Sequence, residues 1–186
     1  IITTAGMCMN MTDAASLHDV LRLAAWLSPS FPVGAYTYSS GLEYAVEAGI
    51  VTDAASLEAW IGGVVQLGTG RSDGGLFVLA YRAAQQGDTR KLRRVIEWAD
   101  ALRPTSELAL ESAGQGDAFL KTVRATWPHS GLDALYDIAR GAGRKPAYAV
   151  VVGVACGHHG VSLEPALAAF LHAVSANLIS AAVRVI

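Results

Sequence analysis

Apolar residues recur along most of the chain at spacings of three and four residues, which is the period of an α-helix. The first such run comprises Leu17, Val20, Leu21 and Ala24, and Ser16 stands before it in a position that suits an N-cap. Strand-like alternation is almost absent. The pattern therefore predicts an all-α fold, a single-domain bundle of about eight helices with short loops. We expect residues 1–16 to be a disordered or upstream-derived leader, and residues 17–186 to form the helical domain.

Prolines, glycines and small polar residues set the predicted helix boundaries. Pro29 and Pro32 end the first helix, and Gly49 ends a second that begins near Ser39. The later predicted helices run from Thr52 or Asp53 to about Gly68, from Leu76 to Gln86, over residues 89–103, from Thr105 or Ser106 to about Trp127, over Leu132–Ala139, from Pro146 to about Gly157, and from Ser162 onwards. The stretch GTGRSDGG, Gly68–Gly75, is predicted to break or kink the chain between two helices.

Composition favours a large core with apolar surface left for a partner. Hydrophobic residues make up 52% and charged residues 16%, which is more apolar and less charged than an ordinary domain. The longest unbroken apolar run, Ala147–Cys156, has about ten residues, whereas a membrane span needs roughly twenty. The net charge of −2 argues against nucleic acid. Two cysteines, Cys8 and Cys156, are too few for a disulfide framework, and no secretory signal is evident, so we expect a cytoplasmic protein without membrane attachment.

Signatures of enzymes and metal sites are weak. The chain has no phosphate-binding loop ending in Lys-Ser or Lys-Thr, no Gly-x-Ser-x-Gly and no Cys-x-x-Cys. Cys156, His158 and His159 are of ligand type, but neighbouring histidines on a helix point about 100° apart. We interpret these three, which remain weak metal candidates, as a buried thiol and two histidines at a helix C-terminus. His18, His129 and His172 are interpreted as isolated helix or surface residues.

The predicted helix from residue 105 to residue 127 carries one polar and one small-residue row. Glu107, Glu111 and Gln115 follow each other at intervals of four and so share a stripe. Ser112 and Gly116 lie beside them, and a glycine kept within a helix indicates close packing against a neighbour. Two interpretations of the glutamates stay open, namely a cationic partner within the protein or on another subunit, and a solvated face.

The stretch SPSFPVGAYTYSSGLE, residues 28–43, is too apolar for an ordinary loop. Its prolines restrict the conformations of the free chain, while Tyr36 and Tyr38 combine large rings with polar tips, as is typical of interfaces. Ser39 or Ser40 is expected to cap the next helix, with Glu43 in its first turn. The segment covers its own core or needs another chain for burial, and the residues alone leave both possibilities open.

This stretch carries a family resemblance. LSPSFPVGAYTYSSGLEYAVEAGIV, residues 27–51, closely resembles the N-terminal signature of the urease accessory protein F (UreF) family. The resemblance continues, in order, through residues 70–84, 101–120 and 164–186. It implies an all-α, non-enzymatic protein that binds the accessory protein D (also called H) and the GTPase accessory protein G, forms a homodimer, and serves nickel insertion into the urease apoprotein. Nickel is then handled by the complex, and no tightly bound cofactor is expected.

The resemblance also implies roles for individual residues. Glu43 is the first candidate for a GTPase-facing or nickel-path residue, followed by Tyr36, Tyr38 and Ser39. The set Glu107, Glu111 and Gln115 matches the family's Glu-Leu-x-x-Glu helix and is expected to bind partners.

Two departures from the family pattern affect these expectations. Ala109 stands where many relatives have arginine, which argues against assigning an ion-pair role to that position. The sequence ends at VRVI, where relatives continue into a helical tail that helps to dock the D/H protein, and a chain that lacks this tail is expected to bind that partner more weakly.

Two alternative functions have weaker support in the sequence. A helical enzyme would use the pair Glu107 and Glu111, or Cys156, but no orienting third residue stands at an interpretable spacing. A nucleic-acid or signalling module would use the basic run Arg90–Arg94. The negative net charge and the lack of interleaved aromatic residues favour a solvated face for that run.

Overall fold

The computed structural model describes residues 16–34 and 41–185, which contain nine helices and no strand. The helices are α1 (Leu17–Trp26), α2 (Leu42–Glu47), α3 (Ala54–Gln66), α4 (Thr69–Gln85), α5 (Thr89–Ala101), α6 (Ser106–Thr126), α7 (Ser130–Gly141), α8 (Tyr148–His158) and α9 (Leu163–Ala182). The predicted all-α fold is confirmed. The boundaries at Pro29 and Gly49, and the break between residues 103 and 105, also agree with prediction, and Gly49 has the positive φ of 70° expected of a helix-ending glycine.

Helix α8 is the centre of the bundle. Every residue from Ala149 to Gly157 is buried, and the helix is apolar on all sides. It packs most extensively on α4 and next on α6, with further contacts to α5, α7 and α9. A helix of this composition is stable only when neighbours surround it, and α4, α5, α6, α7 and α9 provide that cover.

Helices α4 and α8 approach each other backbone to backbone. A Cβ atom added to Gly153 would lie 2.5 Å from the carbonyl oxygen of Phe77, and one added to Gly157 would lie 2.9 Å from that of Tyr81. The Tyr81 hydroxyl donates a 2.8 Å hydrogen bond to the carbonyl of Val161, just beyond α8. Glycine is therefore required on α8 at both crossing points.

Helix α6 makes a similar approach, as its small-residue row predicts. A Cβ atom on Gly116 would overlap the carbonyl oxygen of Pro146, at the entry to α8. The hydroxyl of Ser112, one turn earlier, accepts a 3.2 Å hydrogen bond from the backbone N–H of Tyr148. The row Ser112–Gly116 is thus the seam along which α6 meets the start of α8.

The predicted break at Gly68–Gly75 is confirmed only at its first residue, where Leu67 and Gly68 separate α3 from α4, and is wrong for residues 69–75. Helix α4 begins at Thr69 and runs through the stretch without interruption. Gly70 lies so close to α3 that an added Cβ would be 2.6 Å from the Cα of Val65. Gly74 faces α9, where a Cβ would make ordinary contact with Leu167. These glycines serve close helix packing, which a loop signal in the sequence does not distinguish from a break.

Helix α2 belongs to a small second cluster at the end of α9. Leu42, Ala45 and Val51 are buried there against Ala181 and Ala182. The N-cap of α2 is Gly41, with φ of 82° and no side-chain capping bond. The proposed capping residues Ser39 and Ser40 lie outside the described residues.

Within the described residues, one helix is long and apolar enough to cross a membrane by length and composition alone, namely α9. Counting only unbroken apolar runs misses it, because Glu164 and His172 interrupt the sequence. In this structure α9 packs on α2, α3, α4 and α8.

Candidate functional site

A deep groove lies between α1, α6 and α9. Its volume is about 650 Å³, and the chain from Leu27 to Val33 closes one side. The walls are mostly apolar and include Leu23, Leu27, Leu108, Phe170, Val174 and Leu178. Volume and lining are typical of sites that bind another molecule or a protein side chain.

A polar cluster lies at the groove's inner end and joins α4, α6 and the turn between α5 and α6. The Arg103 guanidinium donates to both carboxylate oxygens of Asp73, at 2.6 and 3.3 Å, and to the Ser112 hydroxyl at 2.9 Å. Only 7% of the Arg103 side chain is exposed. Its Nε atom is buried and has no hydrogen-bond partner among the described residues. Burial raises the pKa of Asp73, and the neighbouring Arg103 opposes that rise.

Glu111 stands at the same end of the groove and is half-buried. The Gln115 side-chain amide donates a 2.9 Å hydrogen bond to its Oε1 atom. Burial raises the pKa of Glu111 to about 7, although the Gln115 hydrogen bond and Arg103 both act to lower it. The carboxyl group therefore changes protonation near neutral pH, where it can donate or accept a hydrogen bond within the groove.

The predicted glutamate stripe is divided by the structure. Glu111 and Gln115 line the groove, so the solvated-face interpretation is wrong for them. Glu107 instead is exposed in the first turn of α6 and does not line it. Hydrogen bonds to its own backbone N–H and to Thr105 and Ser106 lower the pKa of Glu107. The two glutamates thus differ in environment and do not form a paired acid and base.

The residues of the signature stretch fall in three places. Phe31 packs on Phe119, with ring centroids 5.1 Å apart, and Val33 is buried, so this part covers the protein's own core. Tyr36, Tyr38 and Ser39 lie outside the described residues. Glu43 is exposed in the first turn of α2 and has no ion pair or side-chain hydrogen bond with any residue in the described ranges.

The three helices around the groove also expose apolar side chains. The exposed residues are Leu17, Val20 and Leu21 on α1, Leu110 on α6, and Ile179 on α9. Val20 lines the groove itself. Exposed apolar side chains on the helices that border an apolar groove are typical of protein–protein contact sites.

The sequence pattern does not single out the two residues that organise the polar cluster. Asp73 lies in the glycine-rich stretch that was predicted to be a break, and Arg103 lies in the turn before Pro104. One feature of the sequence could have indicated them, namely two opposite charges in glycine-rich or apolar surroundings. Their pairing joins residues 30 apart in the chain, and spacing along the sequence does not show it.

The weak metal candidates lie at the C-terminal end of α8. Cys156 is fully buried, and burial raises the pKa of its thiol to about 12, so the thiol stays protonated at neutral pH. Burial also lowers the pKa of His158 and of His159. Among the described residues, no group of three or more His, Cys, Asp or Glu side chains is placed to hold a metal ion.

The prediction that His129 is isolated is wrong. Its ring stacks on His158 with centroids 4.5 Å apart and stands 5.7 Å from His159. The turn between α6 and α7 carries His129 to the end of α8, and Gly131 leaves room for the His158 ring. The three rings form a packed cluster, with the His129 Nδ1 atom accepting a hydrogen bond from the N–H of Gly131.

Comparison with known proteins identifies the family. The UreF family model matches residues 51–186. Over 175 residues the chain is 50% identical to a protein of Magnetococcus marinus named urease accessory protein UreF. The aligned region covers 94% of this chain and 73% of the relative. Proteins of the same name from Azorhizobium caulinodans and Xanthobacter autotrophicus are 48% and 52% identical, over 95% and 93% of this chain and 75% and 70% of theirs. The chain therefore belongs to the UreF family of urease accessory proteins.

Proposed function

We propose that this protein is a non-enzymatic subunit of the cytoplasmic complex that inserts nickel into the urease apoprotein. In this role it binds the D/H accessory protein and the GTPase G, and regulates that GTPase. One observation carries the proposal, namely the uncovered apolar groove between α1, α6 and α9 in a member of a urease accessory family. The protonated Cys156 thiol and the separate environments of Glu107 and Glu111 give the alternative of a helical enzyme no support.

The groove supplies two kinds of contact to a partner. Its apolar walls provide burial, which drives association. The polar groups Arg103, Asp73 and Glu111 fix the orientation of the partner, because a partner that leaves buried polar groups unpaired loses affinity. Recognition of this kind needs no chemical step in this subunit.

Glu43 supplies a separate, solvent-facing charge. It lies at the start of α2, which packs against the end of α9, so a partner that spans this end of the bundle would meet both elements. We assign Glu43 to contact with the GTPase or to the nickel path. Nickel itself is handled by the assembled complex, and homodimers of this subunit form part of the proposal.

Co-purification with the D/H protein and the GTPase tests the groove. Val20→Glu places a charge on its wall at a half-exposed site that tolerates substitution, and it is expected to reduce capture of one or both partners by about tenfold. Ala125→Glu, on an exposed position of α6 away from the groove, is the matched control. Equal capture by both variants and the wild type would contradict the assignment.

A second comparison tests Glu43. Glu43→Ala is expected to weaken GTPase binding or to change the rate of GTP hydrolysis, whereas Glu47→Ala, also exposed on α2, leaves both unchanged. Nickel titration of the wild type by calorimetry accompanies this comparison. Submicromolar binding that depends on His158 or Cys156 would overturn the assignment of nickel to the complex.

A further inference from the structure

A second, shallower groove lies between α4 and α5 and shares no lining residue with the first. Its volume is about 340 Å³. Four large apolar side chains around it are exposed to solvent, at fractions of 79% for Leu67, 41% for Leu79, 45% for Trp98 and 54% for Leu102. An aromatic residue among exposed leucines is an arrangement typical of binding surfaces.

The floor of this groove is open because of a glycine. Gly75 is exposed on α4, and a Cβ atom added to it would meet nothing within 4 Å. It stands four residues after Arg71 and four before Leu79, so it interrupts a row of side chains on one helix face. The gap is wide enough to receive a side chain from outside.

Cations flank the apolar floor. Arg71 lines the groove, and the guanidinium carbon of Arg94 lies 5.4 Å from the centre of the Trp98 ring. Neither arginine forms an ion pair within the described residues. Arg90 lies one turn before Arg94 on the same row of α5, while Glu97 is the exposed carboxylate of that helix. The remaining carboxylates nearby are paired, Asp73 with Arg103 and Asp100 with Arg144.

We propose that the groove between α4 and α5 binds an acidic amphipathic helix of another protein. One apolar side chain of that helix would fill the gap above Gly75, between Leu79 and Trp98. Its flanking carboxylates would pair with Arg71 and Arg94. This partner matches both the apolar floor and the excess of positive charge at its rim, which is the complementarity that steers and orients protein association.

A single-stranded nucleic acid fits the groove less well. Binding of that kind uses several aromatic platforms along a basic track, whereas this groove has one aromatic ring and a leucine floor. The chain also carries a net charge of −2. The basic run on α5 is thus better matched to carboxylates presented by a protein helix.

A labelled peptide tests the proposal. The probe is a helical peptide of about 16 residues, long enough to fold on the surface, with leucines at i, i+3 and i+7 and glutamates on both sides of that row. Fluorescence anisotropy measures its affinity for the wild-type chain. Gly75→Leu, which fills the gap, and the double variant Arg71→Glu/Arg94→Glu are each expected to weaken binding by about tenfold or more. Trp98→Ala, at an exposed site, is expected to do the same.

Matched controls separate binding from folding. Gly114→Leu introduces the same side chain at an exposed position of α6 where a Cβ also meets nothing within 4 Å, and it should leave the affinity unchanged. A peptide with lysine in place of glutamate should bind the wild type weakly and the double arginine variant better. Circular dichroism melts of all variants verify the fold.

Four outcomes would overturn the proposal. The first is that the acidic peptide does not bind the wild type, and the second is that the wild type and Gly75→Leu bind it equally. The third is that Gly75→Leu loses self-association in analytical ultracentrifugation, which assigns the groove to a second copy of this chain. The fourth is displacement of the peptide by single-stranded RNA that depends on the arginines but not on Gly75, which assigns the surface to nucleic acid.

Discussion

The contact between α4 and α8 and the groove between α1, α6 and α9 are both built from small and apolar residues, yet one is closed and the other open. At the closed contact, each space left by a missing Cβ on α8 is occupied by a carbonyl group of α4. In the groove, Leu108 and Val174 face about 650 Å³ of empty volume. Apolar composition therefore does not decide whether a helix face is core or surface. The decisive difference is whether a neighbouring backbone fits against it.

The largest expected effect comes from the closed contact. Phe77 is fully buried, its ring centroid lies 5.3 Å from that of Phe170, and its carbonyl touches Gly153. Phe77→Ala is expected to lower the free energy of unfolding by about 3–5 kcal/mol in urea titrations, because the surrounding backbone cannot collapse into the cavity. Leu110→Ala, at a residue 75% exposed on α6, should change it by no more than about 0.5 kcal/mol. Similar losses in both variants would remove the distinction between the two regions.

A smaller effect is expected at the inner end of the groove. Arg103→Met leaves the Asp73 carboxylate without its cation and should cost about 3 kcal/mol in the same titration. The double variant Arg103→Met/Asp73→Leu removes both charges and is expected to recover most of that loss. A double variant as unstable as the single one would show that packing of the Arg103 stem, and not charge, stabilises this end.

The third prediction concerns pH. The pKa of Glu111 is raised to about 7 in the folded protein, so the folded state holds its proton more tightly than the unfolded chain does. The carboxyl group therefore lowers stability as pH rises from about 5 to 8. Glu111→Gln should match the wild type near pH 5 and exceed it by about 1 kcal/mol near pH 8, after allowance for solvent screening of a half-buried group. The two proteins differ in no other ionisable group, so the difference between their pH profiles isolates Glu111.

The fourth prediction is the smallest and has the opposite sign. Gly114 is exposed on α6 with open space around its Cα, in contrast to Gly116, whose added Cβ would overlap Pro146. Gly114→Ala should therefore raise the free energy of unfolding by about 0.5–1 kcal/mol through helix propensity alone. A loss of stability, measured by thermal melts, would show that α6 is crowded on its outer face as well as at its seam.

The sequence predicts where helices begin and end better than it predicts which helices pack against each other. Ser16 and Thr105 act as N-caps, Ser16 in a capping box with Asp19, because capping depends on residues within one turn. The glycines of Gly68–Gly75 were misjudged because the same residue serves breaks and close helix contacts, and only the position of α3 and α9 distinguishes the two. Glu111 was identified from its spacing, whereas the pairing of Arg103 with Asp73 beside it required the tertiary fold.

The burial of α8 also bears on how the protein is made. The bond from Tyr81 to Val161 joins residues 80 apart, and the α4 surface that receives α8 leaves the ribosome well before α8 does. Until residues 148–158 have been synthesised, the apolar faces of α4 and α6 lack their main partner. Packing of this domain is therefore completed only after α8 has emerged from the ribosome, and until then the uncovered faces of α4 and α6 are open to aggregation.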